Sequence, residues 1–187
     1  MKFQPTTIVL VLVALLLGGV VLVTTRQSAD QPGTESAEAS DLFDFTEDQV
    51  QSFTLETPLQ SLAFEKDAEG IWQMTEPETV PASDASIAYL LDLLATGSST
   101  RAFTAPVGDR EDFGFHQPLA TITVTLDDQE THTLVLGEYD LTRTARYALV
   151  DSPTPDPEEL TISLVSPNFE NAVSRPLDEW KQSEEAE

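Results

Sequence analysis

Leu119 to Leu136 reads LATITVTLDDQETHTLVL, and this stretch decides the fold. Apolar and polar residues alternate from Leu119 to Leu126, as they do in a strand with one buried face. The acidic sequence DDQE at 127–130 then turns the chain into a second β-rich run, Thr131 to Leu136. The stretch therefore predicts an antiparallel hairpin, the clearest in the chain.

The same alternation recurs on both sides of this hairpin. Val50 to Glu56 and Ser61 to Lys66 flank the turn sequence TPLQ, which predicts a second hairpin. Ile71 to Met74 extends it by a third strand. Tyr147 to Val150 and Leu160 to Val165 predict two more strands, and Arg101 to Phe103 a short one.

One segment has the period of a helix. Ser83 supplies an N-cap oxygen, Asp84 suits the first turn, and Gly97 is the natural stop. Its apolar residues recur at helical spacing and form one stripe: Ile87, Leu90, Leu91 and Leu94. Short helical pieces are expected within 109–118 and 167–173. The predicted class is α+β, a mostly antiparallel sheet of hairpins with one main amphipathic helix.

The N-terminal segment predicts a membrane anchor over residues 1–26. Ile8 to Val23 is apolar without a break, and flanking threonines extend it to 20 uncharged residues, enough to cross about 30 Å of hydrocarbon. A cleaved signal peptide is the alternative, but its apolar region is usually shorter, and the site ending at Ala29 is poor. Lys2 on the short side favours a cytoplasmic N-terminus and an extracytoplasmic domain, in a periplasm or thylakoid lumen, although Arg26 weakens that signal.

The rest of the chain divides by composition. Residues 27–41 hold no large apolar side chain, which predicts a flexible acidic linker. The folded domain is expected over 42–181, and 182–187 form an acidic tail.

Charge excludes one class of partner. The chain carries 33 acidic against 9 basic residues, and every acidic residue follows Arg26. Such a surface repels nucleic-acid phosphates, so we expect no nucleic-acid binding. The acidity also suits a protein bathed in high salt, where charge repulsion is screened. Adaptation to such a habitat and a functional role therefore explain the acidity equally well.

No catalytic or cofactor motif stands out. The absence of cysteine removes disulfides, thiolate nucleophiles and cysteine-based metal sites. His116 and His132 have no ligand spacing, and His132 is expected on a solvent face. The acidic pairs lack the spacing of an EF-hand loop and read as solvated turns. We therefore predict no enzyme activity, no cofactor and no metal site.

Two tryptophans are candidates for something more specific. Trp72 is most simply a core residue over the helix. Trp180, beside Arg175 and Pro176, suits either the core, which is favoured, or a partner. These residues, Trp72, Arg175 and Trp180, form the predicted interface.

Several motifs occur in a familiar order. WQMTEP at 72–77 precedes ASDA at 82–85 and the helix; FGFHQP at 113–118 precedes the hairpin that ends in LVLG at 134–137; NAVSRPLDEW at 171–180 closes the domain. Over about residues 42–181 this order resembles domain-of-unknown-function family 4340, in particular its short cyanobacterial members. Phe115 stands where the family pattern usually has Leu.

The resemblance implies a membrane-anchored α+β domain of bacterial type, with a photosynthetic membrane as one setting, and no established chemistry. Relatives beside transport or gliding systems suggest an accessory, assembly or interaction factor that spans the membrane once and binds a protein partner. The alternatives are a module that binds a ligand or divalent cation and, less favoured, a hydrolytic enzyme.

Overall fold

A computed structural model describes residues 40–153 and 158–183. The predicted anchor at 1–26 and nearly all of the predicted linker lie outside these residues. Within them, no helix is long and apolar enough to cross a membrane.

A single antiparallel sheet of nine strands dominates the domain. Its order is β5-β4-β3-β2-β8-β9-β10-β11-β7, and β1 and β6 form a separate two-stranded pair. The strands are β1 (Ser40–Asp41), β2 (Val50–Glu56), β3 (Ser61–Lys66), β4 (Trp72–Glu76), β5 (Val80–Pro81), β6 (Ser98–Ser99), β7 (Arg101–Pro106), β8 (Ala120–Leu126), β9 (Thr131–Tyr139), β10 (Arg146–Val150) and β11 (Glu159–Val165).

Two α-helices accompany the sheet. Helix α1 (Asp84–Ala95) begins at Ser83, whose side chain accepts a hydrogen bond from the Ser86 N–H, and ends before Gly97. Helix α2 (Asn168–Val173) follows the last strand. Short 3-10 helices are formed by Glu47–Gln49, Val107–Phe113 and Leu177–Trp180.

The two predicted hairpins meet along one seam. Strand β2 pairs with β8, so that Leu55 lies opposite Ile122 and Phe53 opposite Val124. These side chains are buried against the apolar stripe of α1, where Leu90 and Leu94 have no exposed surface. The main core therefore lies between one face of the sheet and the helices.

A second, smaller core lies on the opposite face of the sheet. Val107–Phe113 and the residues after it cover part of β7, β9, β10 and β11, and bury Phe115, Leu149, Leu160 and Ile162. Gly137 permits this contact, because a Cβ there would lie 2.1 Å from the Phe113 carbonyl oxygen. Only this half of the sheet is covered on both faces by described residues.

The predicted class is confirmed in its coarser form: a mostly antiparallel sheet with few helices. The expected hairpins and the main helix are present, with strand ends shifted by a few residues. Val80–Pro81 forms a short further strand although it ends in proline. Proline is accommodated because β5 is the edge strand of the sheet and needs no further N–H donor.

Candidate interaction surfaces

The open face of the sheet is the uncovered side of β4, β3, β2 and β8. Alternation places buried side chains such as Phe53 and Ile122 toward α1, and hydroxyl side chains on the opposite side. Register aligns Thr54 with Thr123 across the β2–β8 seam, and Thr123 with Thr133 on β9. A shallow depression of about 220 Å³ is lined here by Ser52, Thr54, Ala63, Glu65, Thr75, Thr123 and Thr125.

A row of four aromatic rings joins the two tryptophans inside the core. Trp180 packs on Phe64, Phe64 stacks on Phe53, and Phe53 meets the edge of Trp72, with centroids 4.7–5.5 Å apart. Trp180 has no exposed surface, and Trp72 retains 9%. Both tryptophans are therefore packed in the core, which is the alternative that the sequence favoured.

The segment around Trp180 is docked by main-chain bonds. The Trp180 carbonyl accepts from the Ser83 N–H at 2.9 Å, and the Glu179 carbonyl accepts from the Ser86 hydroxyl at 2.6 Å. Arg175 is half-buried, lies over the Tyr89 ring and pairs with Glu179 at 3.3 Å. The proposed interface at these residues stays a prediction, and Arg175 is its accessible member.

His132 lies elsewhere than we expected. It is half-buried beside the rings of Phe43 and Phe45, on the covered side of the sheet, because it shares a strand face with Leu134 and Leu136. Its Nδ1 lies 2.8 Å from Asp151 Oδ2. The expectation that His132 faces solvent is therefore wrong. His132 is two residues from Leu134, and this spacing alone places both side chains on the same face of the strand.

His116 is exposed in the turn before β8. The two histidines therefore occupy separate places, and among the described residues only His132 has a carboxylate partner. Among the described residues, no group of three or more His, Asp or Glu side chains is arranged to hold a metal ion.

A buried arginine, which sequence reasoning missed, fixes α2 to the sheet. Arg146 is 5% exposed, lies 3.9 Å from the Tyr139 ring centroid, and donates to the Gly137 carbonyl at 2.8 Å. The Nη2 atom of Arg146 lies 2.8 Å from Glu170 Oε2, and the Glu170 carboxylate also accepts a hydrogen bond from the Tyr139 hydroxyl. The Tyr139 and Arg146 bonds hold the pKa of Glu170 below its usual value. Most of the polar groups of this cluster bond to one another, so the cluster has a structural role.

A depression of about 350 Å³ lies where the C-terminus of α1 meets Glu47–Gln49. Partial burial, with Asp92 and Asp48 nearby, raises the pKa of Glu47. The carboxylates repel one another there, beside the end of a helix that already carries partial negative charge. Acidic side chains of the described residues therefore line a concave surface here.

The described surface carries no contiguous apolar patch of the kind expected for a protein partner. Its exposed large hydrophobic residues are Leu59, Ile71 and Leu141, each in a different turn between strands. The strands present Ser and Thr instead, because alternation places their apolar residues inward. A partner of the sheet must therefore recognise hydroxyl groups and main-chain shape.

Comparison with known proteins gives one match. The sequence model of a family described as a domain of unknown function (DUF4340) matches residues 72–185, more than half of the chain. No curated protein and no solved structure matches the chain.

Proposed function

We propose a function for this chain from the premise that it belongs to the DUF4340 family of domains of unknown function. The chain is a membrane-anchored accessory factor that binds another protein of a membrane complex, without catalysing a reaction. The bacterial, photosynthetic setting of its short relatives is part of this proposal.

The membrane part of the proposal rests on the sequence. The 20 uncharged residues from Thr6 to Thr25 match the thickness of a bilayer, and Lys2 lies on their short side. The acidic domain would then be extracytoplasmic, in a periplasm or thylakoid lumen.

The observation that carries the binding role is the open face of the sheet. One half of the sheet is covered on both sides, whereas β2, β3, β4 and β8 have described cover on one side. Hydroxyl side chains of β2 and β8, Thr54 and Thr123 among them, line the shallow depression on this face. Because the domain is strongly acidic, the partner that suits this surface is a protein with basic residues around its contact.

The test is capture of partners from the native membrane after mild crosslinking. Thr54→Arg with Thr123→Arg fills the open face with bulky side chains, and we expect it to abolish the specific crosslink. Ala88→Arg is the matched control, because Ala88 is exposed on α1, on the other side of the sheet. Equal capture by the wild type and both variants contradicts a role for the open face.

The depression at Glu47 favours a second candidate, a divalent-cation-binding module. A bound cation would favour the charged form of Glu47, whose pKa is raised by partial burial and, to a smaller extent, by the nearby Asp92 and Asp48. Titration with Ca²⁺ then gives heat and raises the thermal midpoint, and Glu47→Gln reduces both effects. No heat and no thermal shift with Ca²⁺ or other divalent ions excludes this candidate.

A further inference from the structure

The two ends of the sheet differ sharply in charge and polarity. The register of β2, β8 and β9 places the turns 57–60 and 140–145, together with the entry to β8, at one end. We name this end the leucine end, after Leu59 and Leu141 at the tips of its two hairpins. The turns 67–70 and 127–130 lie at the opposite end, which we name the acidic end.

The turns of the acidic end would repel an anionic surface. They carry five carboxylates and no basic residue: Asp67, Glu69, Asp127, Asp128 and Glu130. The connection after β10 adds Asp151 and Glu158 at this end. Close approach of this end to lipid headgroups is therefore unfavourable.

Three connections of the leucine end carry few charges. The sequence TPLQ at 57–60 has no charge, GFHQPL at 114–119 has one histidine, and DLTRTA at 140–145 has one charge of each sign. Glu78, in a further connection at this end, is ion-paired with Lys181 at 2.7 Å. Glu56, Glu76 and Glu138 lie on strands behind the tips, Asp178 lies 3.3 Å from Lys181 Nζ, and Glu170 is paired with Arg146. Glu111 and Asp112, just before Gly114, add exposed carboxylates beside this end.

The two leucines are held outward by ordered turns. Leu141 is 99% exposed, and its turn is closed by the Asp140 carboxylate, which accepts from the N–H groups of Thr144 and Ala145 at 2.8 and 2.9 Å. Leu59 is 96% exposed, in a turn closed by the Thr57 N–H and the Gln60 carbonyl at 2.9 Å. The backbone of each turn is therefore ordered before binding, which lowers the entropic cost of docking.

The spacing of the leucines suits a bilayer better than a protein. Their hairpins are centred about three strand spacings apart in the sheet order, roughly 14 Å. Two separate apolar tips give no contiguous patch for a protein pocket, but a headgroup layer accepts isolated tips without shape complementarity.

The chain outside the described residues supplies the second argument. It carries the apolar segment Ile8–Val23, followed by 16 residues without a large apolar side chain before Ser40. Sixteen residues span at most roughly 55 Å even when fully extended, so in the anchored state the domain stays close to the bilayer.

We propose that the leucine end docks on a lipid surface of low charge, with Leu59 and Leu141 entering the headgroup layer. This inference rests on the anchored state in the proposed function. The acidic end then faces away from the bilayer, and the open face of the sheet stands beside the membrane for a partner.

The test uses the full chain reconstituted in vesicles of phosphatidylcholine with a shallow nitroxide-labelled lipid. The chain has no cysteine, so Gln117→Cys places one fluorophore at the leucine end, and Asp128→Cys places one at the acidic end. We expect quenching at 117 and little at 128. Leu59→Gln with Leu141→Gln should lower the quenching at 117 to the level at 128, with unchanged circular dichroism.

Three results overturn the inference: equal quenching at both positions, quenching at 117 that survives loss of both leucines, or quenching at 117 that appears only in native membranes. The last result assigns the leucine end to a protein. Flotation of the same vesicles measures separately whether the chain is attached to the membrane. Protein that floats without quenching at 117 refutes the docking alone, whereas protein that does not float refutes the anchored state as well.

Discussion

Removal of the Trp180 side chain should destabilise the domain far more than it affects any surface property. The indole is fully buried against Phe64 at one end of the aromatic row. An indole removes roughly 150–250 Å² from water, which at about 25 cal/mol per Å² corresponds to about 4–6 kcal/mol. Large-to-small substitutions of buried aromatic residues cost about 3–5 kcal/mol, so we expect Trp180→Ala to lose that amount.

Trp180→Phe is the matched comparison. The indole Nε1 is buried and has no acceptor among the described residues. Phenylalanine removes this unpaired donor, whose burial is itself unfavourable, and leaves a smaller gap. We therefore expect a cost below about 1.5 kcal/mol, smaller than the loss of volume alone would suggest.

Urea titration of a fragment that begins at residue 35 measures both variants. The chain has two tryptophans, so the fluorescence of Trp72 reports unfolding when Trp180 is replaced. A loss below about 1 kcal/mol for Trp180→Ala, with an unchanged urea slope, would refute the assignment to the core. It would return Trp180 to the list of interface candidates.

Two further substitutions test the contacts that join other parts to the sheet. Glu170→Gln should lower the thermal midpoint at pH 7, because the bonds from Tyr139 and Arg146 favour the charged form of Glu170 and hold its pKa low in the folded state. That contribution is present above the unfolded pKa and is lost as the pH falls through the folded pKa, so the thermal midpoints of the two proteins should converge once the pH lies below the folded pKa; a constant difference contradicts this. Gly137→Ala should cost about 1–3 kcal/mol in denaturant titration, since its Cβ would meet a carbonyl of the covering segment at 2.1 Å. Gly108→Ala, which meets nothing within 4 Å, should stay within about 0.5 kcal/mol, and equal losses would contradict the close approach.

Local patterns predicted the elements of this fold well. The alternation in 119–136 and the stripe of α1 depend on neighbouring residues, so the sequence contains what is needed to predict them. Ser83 caps the helix as predicted. The helical piece expected within 109–118 is present as the 3-10 helix Val107–Phe113, which overlaps that range in part.

The order of the strands was beyond such patterns. Pairing of β2 with β8, and of β7 with β11, depends on which apolar faces share one core, and no local residue encodes that choice. The burial of Arg146 had no signal either, because its partner Glu170 lies on a distant helix. The candidate surfaces depend on the same pairing, so they emerged only with the fold.

The seam between β2 and β8 also bears on how fast the chain reaches its native state. Leu55 finds Ile122 only after the whole of α1, β7 and their connections have been looped out. Closing large loops before any stabilising contact forms is entropically unfavourable, and sheets with distant pairings fold slowly. Until the seam closes, β2 is an unpaired strand edge that invites association with other unfolded chains. Crowded, newly made copies of this protein are therefore most prone to aggregate before residues 120–126 are in place.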